Sequence, residues 1–172
     1  MKKSGKIALC GMIGALSSIV MFFSIFPYLT YTMPALAGCF LVFIVIEMGT
    51  KWAFSVYAIV SAISLIMPEK EAAIFFILLF GYYPILKPLI EKLNAKFVKW
   101  LIKLIIFNVS AVISFYIVTF IFGIEFSEMG EFGRYTPLIL LVAGNFAFIL
   151  YDIVIDRLIK LYIINIRRRL KL

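Results

Sequence analysis

Apolar residues run in long blocks along almost the whole chain, separated by short polar gaps. Blocks of this length read as membrane-spanning helices and leave no room for a soluble catalytic domain. They predict spans at about 7–26, 33–48, 52–67, 72–91, 100–122 and 136–156. The expected fold class is therefore all-α, a polytopic membrane protein in which residues 1–172 form one domain, a single bundle of six transmembrane helices. The second and third blocks hold only about 16 residues each, slightly short of a full crossing at about 1.5 Å per residue, so they thin the bilayer locally or form a shallow hairpin. The first block follows Met1, Lys2 and Lys3 as a secretory leader would. It is too long for a signal core and no small-x-small cleavage site with a soluble domain follows, so it is expected to stay as the first helix.

The fourth block carries its own interruption. Pro84 and Pro88 each lack a backbone donor and crowd the carbonyl four residues before them, and Gly81 stands just ahead, so a straight helix is not expected there. A loosened backbone is tolerated in lipid only where neighbouring helices or a water-lined cavity satisfy the freed carbonyls. The segment reads either as a kinked packing helix or as a pocket wall.

Composition narrows the class further. The chain is 65% hydrophobic and its formal net charge is +8. Of its 17 lysines and arginines, all but Lys70 and Arg134 fall on one side of the six-span arrangement. The positive-inside rule then puts both the N- and the C-terminus in the cytoplasm of a multi-pass cell-membrane protein. These charges flank apolar helices instead of forming a solvated basic face, so no nucleic-acid partner is expected. The chain has no histidine, and Cys10 and Cys39 both fall inside apolar blocks. No catalytic residues, no metal site and no phosphate-binding loop follow from such an inventory, and the chain is not expected to be an enzyme.

Three groups of residues stand out. In the first block Ala8, Gly11, Gly14, Ala15 and Ser18 create small-x-x-x-small spacings that let two backbones approach closely, for packing inside the bundle or for docking to a partner. In the sixth, Asn145, Asp152 and Asp156 fall roughly along one face. A carboxylate at the depth of Asp152 is costly unless paired, which predicts an inner charged layer of Lys87, Lys103, Asp152 and Arg157, acting as an ion-pair layer rather than a proton relay. The third group, Tyr28, Tyr31, Thr32, Glu69, Glu71, Arg134, Tyr135 and, deeper, Asn145, gathers towards the opposite side, and with Phe75, Phe76 and Tyr82 it reads either as the lining of a ligand cavity or as interfacial anchors.

A small six-helix protein with the basic start Lys6-Ile7-Ala8-Leu9-Cys10-Gly11-Met12-Ile13-Gly14-Ala15-Leu16, and short second and third helices around Glu47-Met48-Gly49-Thr50-Lys51-Trp52-Ala53, resembles the substrate-binding S components of energy-coupling-factor (ECF) transporters. The resemblance implies capture of a vitamin or other micronutrient from outside, with Tyr31, Tyr82, Arg134, Tyr135 and Asn145 as ligand contacts. It also implies that Ala8, Gly11, Ala15 and Ser18 meet a transmembrane T component, and that two partner ATPase subunits use the ATP, no cofactor belonging to this chain. A six-helix membrane scaffold or cell-shape protein and a proton-coupled small-molecule transporter are the alternatives from other classes.

Overall fold

The computed structural model describes residues 3–122 and 136–167, and every regular element among them is helical. α1 (Lys3–Phe22) is continued by two 3-10 turns, Phe23–Ile25 and Pro27–Leu29, and is followed by α2 (Thr32–Met48) and α3 (Thr50–Ser64). α4 (Lys70–Phe75), a π-helical turn (Phe76–Phe80) and α5 (Tyr83–Ile90) together make the proline-bearing block. α6 covers Lys96–Phe122 and α7 covers Thr136–Leu161, with a π-helical continuation over Tyr162–Arg167.

Among the described residues, four stretches are long and apolar enough to cross a membrane: Lys3–Ile25, Lys70–Ile90, Lys96–Phe120 and Leu138–Ile164. α2 has 17 residues and α3 has 15. At about 1.5 Å per residue they reach about 25 and 22 Å, less than the roughly 30 Å of bilayer hydrocarbon. Large apolar side chains such as Met12 and Ile19 on α1, Phe97 and Phe120 on α6, and Phe146 on α7 point outward and are more than half exposed. Such a sheath is what hydrocarbon, and not water, solvates.

The short α2 is the hub of the bundle. It is apolar all round its circumference, the pattern of a helix covered on every side. Ala37, Leu41 and Ile44 pack into one core with Met21 of α1, Val56 and Val60 of α3, and Phe76. Cys39 and Val42 enter a second core with Tyr83, Phe107, Phe148, Tyr151 and Ile155. Gly49 alone connects α2 to α3, and its φ of +89° with ψ of 175° lies in a region that essentially only glycine occupies.

The interruption of the fourth block falls at residues 76–82, just before both prolines, and not at them. Proline acts backwards along the chain. An α-helix would give Phe80 the N–H of residue 84, which Pro84 does not have; the Tyr151 hydroxyl of α7 donates to the Phe80 carbonyl instead, at 3.0 Å. One turn earlier, the Gly81 N–H bonds Phe76 O at 2.7 Å in place of Ile77 O, and the Tyr57 hydroxyl of α3 donates to Ile77 O at 2.7 Å. Two tyrosines from separate helices thus hold the loosened backbone. This stretch is also the most enclosed of the four long ones, with 56% of its apolar window buried, against 22% or less for the others.

Tyr151→Phe should leave the Phe80 carbonyl without its donor and cost about 1–3 kcal/mol. The measurement is the melting temperature of the detergent-purified protein. Adding Pro84→Ala, which restores an N–H at that position, should recover part of the loss. An unchanged melt in Tyr151→Phe would mean that the hydroxyl does not support the break.

Candidate functional site

Three helices meet in a seam built of two layers, one helical turn apart. α5 contributes Tyr83 and Lys87, α6 contributes Lys103 and Phe107, and α7 contributes Phe148 and Asp152. Each pair is spaced i, i+4, so both members face the same way. Phe107 stacks on Phe148 with ring centroids 4.5 Å apart, and Tyr83 meets Phe148 edge-on at 4.8 Å. Beneath these rings lie the charges.

Asp152 is the centre of the charged layer and is 2% exposed. Its Oδ1 takes the Lys87 ammonium at 2.6 Å and the Tyr83 hydroxyl, and its Oδ2 takes Lys103 at 3.0 Å. Lys87 also reaches the Asp152 main-chain carbonyl at 2.6 Å and Asp156 at 2.8 Å. Lys103 continues to Glu91 at 2.6 Å, and the other oxygen of Glu91 accepts from Lys99 at 3.1 Å. The groups form an alternating chain, Asp156–Lys87–Asp152–Lys103–Glu91–Lys99, whose middle is buried and whose outer carboxylates, Asp156 and Glu91, are about half exposed. Glu91 lies just beyond α5, and the hydrogen bond from Lys103, seconded by Lys99, holds its carboxyl below the usual carboxylate range.

Every buried member of this chain has several partners, as buried charges require. A relay must let go of one partner to pass a proton to the next, whereas Asp152 is held by three donors from two other helices. The chemistry this arrangement supplies best is a clamp that fixes the rotation of α5, α6 and α7 about one another. Among the described residues no cluster of three His, Cys, Asp or Glu side chains suits a metal ion.

Comparison with known proteins adds no relative. No family model, curated protein or solved structure matches the chain. The reading of function therefore stands on this chain's own residues.

Of the expected inner layer, Lys87, Lys103 and Asp152 lie in direct contact, and Arg157 is exposed and takes no part in these ion pairs. Of the five residues grouped as ligand contacts, Arg134 and Tyr135 lie outside the described residues. The other three are each hydrogen-bonded within the chain, to different partners. Tyr31 donates to Glu71 at 2.8 Å and packs edge-on against Phe75. Tyr82 shares a 2.6 Å hydrogen bond with Ser110. Asn145 and Asn108 bond reciprocally at 2.9 Å, each amide also reaching the carbonyl one turn back on its own helix.

The small residues of α1 divide between two faces. Ala8, Gly11 and Ala15 are exposed, and nothing lies within 4 Å of the place where a Cβ on Gly11 would sit. Gly14 instead faces Val56 of α3, and the half-buried Ser18 donates to its carbonyl at 2.9 Å. The sequence reading missed Tyr83, Glu91 and Asn108. Asn108 carried a signal, since a second amide in an adjacent apolar block is the natural partner for Asn145; Tyr83 and Glu91 became visible only once the helices were placed.

Proposed function

We propose that the chain is a membrane-embedded substrate-binding subunit for ATP-driven uptake of a vitamin or other micronutrient. In this reading six helices cross the bilayer with both termini in the cytoplasm, and α1 docks to a transmembrane partner driven by two ATPase subunits. The observation that carries it is the outward face of α1. Ala8, Gly11 and Ala15 leave a shallow trough flanked by Met12 and Leu16, all exposed on a helix whose opposite face is packed on α2 and α3. Small residues on an unoccupied helix face are what a second helix needs for close approach. The ion-pair clamp suits the same role, because a subunit that moves as a whole against a partner gains from a rigid seam.

The test is affinity capture of the full-length protein in mild detergent, with thermal-shift screening against vitamins and their precursors. A T component and ATPases should co-purify, and one micronutrient should raise the melting temperature. Gly11→Leu with Ala15→Leu should reduce capture roughly tenfold, equivalent to about 1.4 kcal/mol, and leave the melting temperature unchanged. Absence of both a T component and a stabilising ligand would remove the proposal. A scaffold subunit is the second reading, favoured by the internal hydrogen bonds of Tyr31, Tyr82 and Asn145. It predicts partner capture with no stabilising micronutrient.

A further inference from the structure

We propose that the groove between the end of α5 and the first turns of α6 binds the phosphate of an anionic phospholipid headgroup. The inference rests on the chain being a membrane protein and is independent of the transport reading. The groove has a volume of about 210 Å3 and is lined by Glu91, Lys96, Lys99, Trp100 and Lys103. Lys103 is also paired with Asp152 and Glu91 bridges Lys99 and Lys103, so the positive surplus of the lining is the charge of Lys96. On α6 the lysines are spaced three and four residues apart, which stacks them along one face at increasing depth. Lys103 is buried at the floor, Lys99 is half-buried, and Lys96 is exposed and makes none of the ion pairs of the buried chain.

The fit of an oxyanion is already visible. The Glu91 carboxylate bridges Lys99 and Lys103, at 3.1 and 2.6 Å, from one wall of the groove. A phosphate entering from the open side would share Lys99 and take up Lys96, whose charge Glu91 leaves unmatched.

Position selects a lipid as the source. The groove lies where one membrane-length stretch ends at Ile90 and the next begins at Lys96, the level at which headgroups sit. Trp100, 41% exposed with the Lys103 ammonium 5.3 Å from its ring centroid, has the amphipathic character favoured at that level. The same two helix ends expose Leu89, Leu93, Phe97 and Leu101, apolar surface suited to acyl chains and of no use to free phosphate. Lysines beside a membrane surface attract anionic headgroups additively.

The chain has two tryptophans, so Trp52→Phe leaves Trp100 as the sole emitter. The full-length protein in phosphatidylcholine vesicles should be quenched by brominated phosphatidylglycerol at a lower lipid fraction than by brominated phosphatidylcholine. That preference should fall on the order of tenfold in Lys96→Gln with Lys99→Gln and persist in Lys96→Arg with Lys99→Arg. Equal quenching by the two lipids, or an unchanged preference in the glutamine pair, overturns the proposal. Inorganic phosphate is the second arm. If millimolar phosphate relieves the quenching, or stabilises the protein in pure phosphatidylcholine only when both lysines are present, the site takes phosphate from solution and the lipid assignment falls. No effect of phosphate supports the lipid. Native mass spectrometry of the protein with both tryptophans intact, released from mixed vesicles, gives the same decision without the tryptophan change: retained phosphatidylglycerol should be lost in the glutamine pair, and its equal retention overturns the assignment.

Discussion

Asp152→Ala should cost the folded protein about 3–5 kcal/mol, enough to abolish a monodisperse peak in detergent. The substitution removes more than a carboxylate. It strands Lys87 and Lys103, which are 1% and 3% exposed, with their charges facing each other across the vacated site. Lys87 keeps Asp156, and Lys103 keeps Glu91, but both of those carboxylates are drawn from the open ends of the chain of charges. The Tyr83 hydroxyl also loses its acceptor. Since the penalty comes from uncompensated charge, replacing all three buried groups with apolar residues of similar size, Asp152→Leu with Lys87→Met and Lys103→Met, should recover much of the lost yield and melting temperature. A normal melt in Asp152→Ala would refute the clamp. A triple variant that stays as poor as the single one would place the cost in packing and not in charge.

Gly38→Val should lower the melting temperature sharply, because α2 has no room for a side chain at this position. Even one added carbon at this position would sit 2.5 Å from the Tyr151 hydroxyl and closer still to the Phe80 carbonyl oxygen. The second of these is main chain and cannot rotate away. It is also the carbonyl that Pro84 leaves without a helical donor and that Tyr151 serves. Pushing α2 away from the π-helical turn therefore loosens packing and separates that hydrogen bond. Overpacking of this kind typically costs about 1–3 kcal/mol, and the lost hydrogen bond adds roughly 1 kcal/mol. Gly38→Ala should give a smaller fall in melting temperature than Gly38→Val, and Gly11→Val, with open space around it, should give almost none. Equal effects at Gly38 and Gly11 would count against the close approach.

The helical blocks were legible because each is a predominantly apolar run closed by glycine, proline or charge. Lys87, Lys103 and Asp152 were legible for the opposite reason: a charge inside an apolar run has few places to go, and all three sit at similar depth. Arg157 followed the same logic less well. It lies one residue past Asp156 on α7, and that single step turns it from the seam to the exposed surface. The break in the fourth block was readable from Pro84 and Gly81, but its position one turn earlier, and the identity of the hydroxyls that hold it, depend on where α3 and α7 pack. Tyr57 and Tyr151 look like any other tyrosines in an apolar run. Tyr31, Tyr82 and Asn145 show the converse, since polar groups gathered towards one end of a bundle need not converge, and here each finds its own neighbour.

Gly49 has a consequence for how such a protein is made. Neither α2 nor α3 is long enough to be held in a bilayer by its own length, and the single residue between them allows no pause and no loop on the far side. Under the proposed six-span arrangement they would enter the membrane together as one hairpin, with Gly49 as its tip. Any other residue there would strain the turn at the moment of insertion, so its cost would be read in how much protein reaches the membrane as well as in how firmly it stays folded.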